Sequence, residues 1–526
     1  FAMTSSRHAA LSVFSALAGI AVSLPGAARG DAPRNAANAT AADTGDAPAR
    51  AATPAPAGAL PPPNVIVFIT DDESWLERSA YGWSSLPTPH FDRVAREGVL
   101  FNRCYTSAPS CAPSRAALLT GRNFWELEQG AFIQGWLPTK FPRLPDLLQA
   151  AGYRTGYTGK GWGPGIPPPG VAQKNFRNPA GIAFNQLKRP QNEDAMSNID
   201  YAANFNAFLD ARSNSPHSDD AHSNSPRADD APFYFWIGTL EPHDPVSKDG
   251  HKKLHARHGL APGALKLPDF MPDTPAARRA RAGMYHEICR ADDDLGRVLE
   301  ILERRGLLDN TLLIVTGDNG TQIPYSKATP YDWGVHEPLA IMWPARVKPG
   351  RRVDDFVNFA DFAPTILAAA GAAIPGGMSG RSFLDVLLSE KSGRIDPARA
   401  WTVTGLEWHG ELPPHSSAAR AIRDERHHYI VNHGIRPPNR TPAGRGAPAT
   451  LAPGEIWEEL YDCETDPWQL TNLAASPAHA ETKARLKKQL RAYQLQTRDP
   501  RATGDMKLFD ETRALVERRK KNNYKN

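Results

Sequence analysis

The chain alternates short, unbroken apolar runs with longer stretches of helical period. Val65-Ile66-Val67-Phe68-Ile69 lacks the polar alternation of a half-exposed strand, which predicts a strand buried on both faces. Phe233-Tyr234-Phe235-Trp236-Ile237 and Leu312-Leu313-Ile314-Val315 have the same character. A shorter piece, Arg154 to Thr158, follows a helical segment from Leu144 to Ala151. The clearest helix is predicted from about Pro275 to Arg305. Thr274 is a good N-cap, Pro275 suits the first turn and Gly306 suits the stop. Met284, Ile288, Ala291, Leu295, Val298, Leu299 and Leu302 form one apolar stripe along it, which is a core face. Strands alternating with helices predict an α/β fold, a sheet with helices on both sides.

Other segments read differently. From Met3 the pattern is that of an export signal: Arg7 and His8, an apolar stretch from Ala9 to Leu24, then Gly26-Ala27-Ala28 as a cleavage site. The stretch is short, rich in small residues and broken by Pro25, unlike a membrane anchor. The expected organisation is a signal peptide over 1–28, a flexible leader over 29–63, a catalytic domain over 64–390 and a smaller α+β subdomain over 391–526. Within the last, His428 to Asn432 is a strand candidate and Ala478 to Gln494 the closing helix. A polar repeat, Ser213-Asn214-Ser215-Pro216 then Ser223-Asn224-Ser225-Pro226, reads as a duplicated surface loop.

Charge excludes one class of function. There are 61 Lys+Arg against 57 Asp+Glu, too even for a nucleic-acid binder, and the basic run Arg518 to Lys521 reads as a solvated tail. The mature protein is expected to be exported, periplasmic or extracellular, and free of the membrane. The four cysteines, Cys104, Cys111, Cys289 and Cys463, are too few and too irregular for a disulfide scaffold, although Cys104 and Cys111 are close enough in sequence to pair.

The candidate chemistry follows the strands. Val65–Ile69 runs into Asp71-Asp72, Leu312–Val315 into Asp318-Asn319, Phe233–Ile237 towards Glu241-Pro242-His243, and Arg154–Thr158 into Gly159-Lys160. Ligands of open α/β sheets bind beyond the carboxyl ends of strands, so these four ends are expected to converge. Asp71, Asp72, Asp318 and Asn319 are an all-oxygen set suited to a hard cation, Ca²⁺ before Mg²⁺. Either pair alone would more often be a turn or a cap. Cys111-Ala112-Pro113-Ser114-Arg115, followed by Ala116-Ala117-Leu118-Leu119-Thr120-Gly121-Arg122, puts Cys111 at a helix N-terminus, where orphan amides and the helix dipole favour an anion.

That last segment resembles the signature of the type I sulfatases, in which the cysteine is oxidised to formylglycine. The resemblance runs from Asn64 to about Leu473 and takes in Asp71-Asp72, Gly159-Lys160, Pro242-His243, Thr316 to Gly320, Lys327 and Glu459-Leu460-Tyr461-Asp462. It implies an alkaline-phosphatase-like fold: a large mixed sheet between helices, with a small C-terminal sheet domain. It also implies hydrolysis of a sulfate ester or sulfamate on a small molecule or glycan. Formylglycine at Cys111 would be the nucleophile, installed by a formylglycine-generating enzyme, and Asp71, Asp72, Cys111, Asp318 and Asn319 would hold the cation. Arg115 would hold and polarise the hydrated formylglycine, Lys160 and Lys327 would neutralise sulfate oxygens, and His243 would protonate the leaving group.

There is one departure. Many sulfatases carry a histidine two residues after the lysine corresponding to Lys160; here that residue is Trp162. Tyr331-Asp332-Trp333-Gly334, Ala180 to Asn185 and Gly163-Pro164 resemble the heparan N-sulfatase (sulfamidase-like) branch. Trp162, Glu407 and His409 are expected at the substrate, with an ordinary surface histidine the alternative for His409. Two other functions stay open on sequence alone: a phosphonate or phosphodiester hydrolase of the same superfamily, and an inactive exported protein that binds sulfated glycans.

Overall fold

The structure is a computed structural model that describes residues 61–190, 197–213, 231–410, 418–438, 449–452 and 454–523. The expected signal peptide, nearly all of the leader and the duplicated loop lie outside these residues. Seven strands form the main sheet: β1 Asn64–Thr70, β2 Val99–Phe101, β3 Arg154–Gly159, β4 Phe233–Gly238, β5 Thr311–Gly317, β6 Leu339–Met342 and β7 Arg351–Val353, in the order β3-β4-β1-β5-β6-β2-β7. The first four in that order are mutually parallel, with Val65 of β1 aligned to Tyr234 of β4 and to Leu312 of β5. β6 runs antiparallel to β5 and to β2, making the sheet mixed.

β1 is apolar throughout because each of its faces has a helical layer. Val65, Val67 and Ile69 pack with residues of α2 (Cys111–Thr120), α3 (Leu144–Ala150) and α6 (Phe362–Ala369), among them Leu118, Leu119, Leu148 and Ile366. Ile66 and Phe68 face α1 (Pro89–Glu97), α4 (Tyr201–Ser213) and α5 (Pro275–Arg304). Leu295, Val298, Leu299 and Leu302 of α5 lie in that second layer, each fully buried, and each such side chain contributes about 1.5–3 kcal/mol. The Thr274 hydroxyl caps α5, accepting from the Ala277 N–H at 3.2 Å, and Gly306 takes the left-handed turn after it (φ 63°).

A second sheet is purely antiparallel: β8 Trp401–Leu406, β9 Ala419–Asp424, β10 His427–Asn432 and β11 Trp457–Asp462, in that order. One face packs on α7 (Ala480–Gln496) and α8 (Lys507–Asn523) through Ile422, Tyr429, Leu490, Phe509 and Val516. The other meets Tyr325, Tyr331 and Trp333 through Ala421, Ile430 and Tyr461. The basic run expected as a solvated tail begins on α8: Phe509 and Val516 bury one side of that helix while Arg518 and Arg519 stay exposed.

Candidate active site

The four strand ends named by the sequence meet. Backbone bonds lace their loops together: Asp318 N–H to Thr70 O at 3.0 Å, Asp71 N–H to Glu241 O at 3.1 Å, and Lys160 N–H to Gly238 O at 2.7 Å. Gly159 makes the turn into Lys160 at φ 74°, and a Cβ there would fall 2.0 Å from Gly238 O, so only glycine fits. Asp72 is also left-handed (φ 71°), with its N–H donated to Asp318 Oδ1 at 3.0 Å. Aspartate tolerates that region, and such backbone strain concentrates at functional sites.

Asp71, Asp72, Asp318 and Cys111 each bring one donor atom within 4.8 Å of the others, and all four are buried. Three cations face the three carboxylates. Lys160 Nζ lies 2.6 Å from both oxygens of Asp71, Lys327 Nζ 2.5 Å from Asp72 Oδ2, and Arg115 Nε 2.7 Å from Asp318 Oδ2. Burial works to raise the Asp71 carboxyl, but Lys160, with Arg115 and Lys327, holds it below its ordinary value. Burial likewise works to lower both lysines, yet Asp71 holds Lys160 up and Asp72 holds Lys327 up. Asn319 donates to Asp72 Oδ1 at 2.7 Å, whereas its own Oδ1 is buried without a partner. An orphaned amide oxygen beside three carboxylates is what a hard cation requires, so the donor set fits one.

Cys111 opens α2, with Ser110 as its N-cap residue. Its Sγ lies 3.5 Å from Asp71 Oδ1 and 3.9 Å from Asp72 Oδ1. Burial pushes the thiol up to about 12, with Lys160 and Lys327 pulling the other way, so a free thiolate is disfavoured. Cys104 is also a free, buried thiol, as are Cys289 and the half-buried Cys463, and none of them is in a disulfide. One helical turn on from Cys111, the Arg115 guanidinium also donates to the Lys160 and Gly161 carbonyls at 2.7 and 3.1 Å. His243, beyond β4, is the most exposed of these side chains, 27% accessible, and its Nε2 is 3.7 Å from Asp72 Oδ2. Its Nδ1 donates to Asp244 O at 2.5 Å, which leaves Nε2 facing the cluster.

The three predicted substrate contacts fare differently. His409 is buried, unlike a surface histidine, and its Nδ1 is 2.7 Å from Oγ of Ser110, the residue before Cys111. Trp162 is revised. Its ring is 3% exposed, covers Gly165 so closely that a Cβ there would sit 2.0 Å away, and packs edge-on to Phe176, which makes it core beneath the Lys160 loop. Glu407 is revised too, because both its oxygens are occupied: Oε2 by Arg420 Nη2 and Arg501 Nε at 3.1 and 3.0 Å, Oε1 by Arg501 Nη2 at 2.5 Å.

Some site residues escape a sequence reading. Ser114 donates to Asp318 O at 2.5 Å and accepts from Thr106 at 2.8 Å, tying α2 to the β5 end. The Asn185 side-chain oxygen accepts from the Gly159 N–H at 2.8 Å and the Thr158 hydroxyl at 3.0 Å, fixing the turn that presents Lys160. Both stand inside segments quoted for their resemblance, and that was the available signal.

Residues 63–372 match the Sulfatase family, and residues 320–432 match the family described as N-sulphoglucosamine sulphohydrolase, C-terminal. The chain is 29% identical to human N-sulphoglucosamine sulphohydrolase over 84% of its own length and 91% of that protein's. Among solved structures it resembles a protein in complex with its substrate D-glucosamine-2-N,6-O-disulfate, at a TM-score of 0.61 and 20% identity, covering 83% of this chain and 98% of that one. It also resembles a phosphonate monoester hydrolase from Silicibacter pomeroyi, at a TM-score of 0.59 and 20% identity, covering 83% and 96%. These structural likenesses concern the fold.

Proposed function

The chain belongs to the sulfatase family, and within it we propose a hydrolase of N-sulfated amino sugars with a formylglycine nucleophile made from Cys111. The observation that carries this reading is Cys111 and Arg115 on one face of the α2 N-terminus, against Asp71, Asp72 and Asp318. The preference for a sulfamate is supported by the match of residues 320–432 and by the human relative.

A formylglycine at position 111 would supply the oxygen nucleophile, and Asp71, Asp72, Asp318 and Asn319 would hold a calcium ion that would supply fixed positive charge. The remaining work falls to this chain's own side chains. Lys160 and Lys327 bring two ammonium groups to the position where sulfate charge must be neutralised, each largely withdrawn from solvent against a buried carboxylate. Arg115, clamped by Asp318 and two carbonyls, holds its guanidinium still against α2. His243 presents Nε2 and, when protonated there, gives its proton to the departing nitrogen or oxygen. His409, beside Ser110, contacts the sugar.

The reading requires a formylglycine-generating enzyme as a partner, and export to a periplasmic or extracellular space agrees with it. Among the described residues no helix is long and apolar enough to cross a membrane. Phosphonate ester hydrolysis is the second reading, because the same fold carries it in the Silicibacter pomeroyi enzyme. The deciding experiment measures product release by the matured enzyme from a glucosamine N-sulfate, an O-sulfated analogue and a phosphonate monoester. Highest kcat/KM on the N-sulfate supports the reading; turnover confined to the phosphonate overturns it.

A further inference from the structure

Glu407, two residues before His409, is held by a set of polar contacts that starts about ninety residues later in the chain. Asp499 binds Arg420 through both oxygens, Oδ2 to Nε at 2.7 Å and Oδ1 to Nη2 at 2.9 Å, and its Oδ1 also accepts the Arg501 N–H at 3.1 Å. Arg420 Nη1 donates to Leu406 O at 3.0 Å, holding the end of β8, and its guanidinium stacks over Phe124 and Trp125, the rings just after α2. Trp125 Nε1 in turn donates to Thr497 Oγ1 at 3.0 Å. Glu407 closes the set, gripped by Arg420 and Arg501. Arg420 and Asp499 are fully buried and Glu407 is 3% exposed.

From Glu407 the chain has one residue, Trp408, before His409. Trp408 is buried and bridges to Phe132. The segment before His409 is therefore held, Glu407 by two guanidiniums and Trp408 by its bridge to Phe132. The imidazole so delivered meets Ser110, the residue before Cys111, at 2.7 Å. A buried ion-pair set is weak evidence for stability as such, because desolvation offsets much of the attraction. Its use here is geometric.

We infer that Glu407 and Arg501 are positioning residues for His409, so that the C-terminal segment around Asp499–Arg501 sets the placement of an imidazole beside the Cys111 helix. Neither residue touches substrate; both act through His409. The inference rests on the sulfohydrolase reading above, with His409 as a sugar contact.

A double-mutant cycle tests it. Arg501→Ala, His409→Ala and the double variant are compared by kcat and KM on a sulfated amino sugar, with thermal unfolding of each recorded. Arg501 is chosen because its side chain is 16% exposed, so its loss leaves no sealed charge as Arg420→Ala would. The expected result is a loss of about tenfold in kcat/KM, mostly in KM, for Arg501→Ala alone, shrinking to less than about twofold once His409 is gone. Arg501→Lys, which keeps the charge but has no second donor for Glu407, should fall between and serves the same cycle if the alanine variant does not fold. Equal losses in both backgrounds, or none in either, would overturn the inference while leaving the sulfohydrolase reading in place. A wild-type enzyme that releases no sulfate from any substrate would overturn both.

Discussion

Lys160 Nζ stands 2.6 Å from each carboxylate oxygen of Asp71, so one residue suited to hold sulfate is bonded to one suited to hold a cation. The two positive partners compete for the same oxygens. Lys160→Met should therefore separate them: calcium binding tightens, because a positive charge beside the carboxylates is removed, while sulfate turnover collapses. Calorimetric titration of calcium beside kcat/KM measurements reads both effects. Weaker calcium binding in the variant would show that Lys160 supports the cation site instead of competing for it.

Removal of the cation should abolish turnover, and calcium should restore it. Asp318→Asn is the sharper probe, because an amide oxygen still accepts from Arg115 while a charged ligand is lost. The variant should fold and keep its Arg115 contact but hold metal only weakly. Full activity of the wild-type enzyme in excess chelator, with no metal by elemental analysis, would contradict the site.

Trypsin should release Cys104 to Arg115 as one peptide, since Arg103 precedes it and Arg115 ends it. In a host with the maturing enzyme, part of that peptide should carry an aldehyde at Cys111. The buried thiol, pushed up to about 12, is a poor nucleophile as it stands. Active enzyme whose peptide contains only free thiol would rule formylglycine out.

The strand ends could be read from sequence for a physical reason. Parallel strands covered on both faces must be apolar at every position, so β1, β4 and β5 appear as unbroken runs and the first polar residues after them mark the loops. β2, β6 and β7 are three or four residues long and carry no such signal, so the antiparallel turn that makes the sheet mixed was not visible. Periodicity also could not show that Trp162 would be buried under its own loop, which has no regular period, or that Glu407 would be taken by Arg420 and Arg501, which lie on other elements. The acidic cluster suited to a cation was legible because its members come in adjacent pairs; Ser114 and Asn185 were not, because each acts through a backbone group.

Acid should weaken the fold through His336. Its ring is sandwiched between Trp75 and Tyr105, with centroids 4.1 and 4.4 Å away, and burial pulls its pKa down to about 3. An unfolded histidine titrates near 6.5, so between about 6.5 and 3 the unfolded chain takes up a proton that the folded one refuses. Stability is then highest above about pH 6.5 and falls as pH drops, by up to about 1.4 kcal/mol per unit from this residue. Buried His428 is lowered as well and adds in the same direction. Urea midpoints at pH 7.5 and 5.0 should differ by less in His336→Phe than in the wild type, whatever the variant's absolute stability. An unchanged pH slope would remove His336 from the account.

The leaving group distinguishes His243 from Lys160. With Trp162 packed into the core, no histidine from the Lys160 loop offers a proton, and His243 Nε2 faces the cluster. General-acid help is worth about 10²–10⁴-fold and matters most when the departing group is a poor one. His243→Ala should therefore cost far more on a sugar sulfate or sulfamate than on an activated aryl sulfate, whose phenolate leaves unaided. Lys160→Ala should harm both substrates alike, because it neutralises sulfate charge whatever departs. Comparing kcat/KM for the two variants on the two substrate types separates the roles. Equal losses for His243→Ala on both substrates would mean that it only positions sulfate, and Lys327, bonded to the same Asp72 carboxylate that His243 approaches, would be the next proton donor to test.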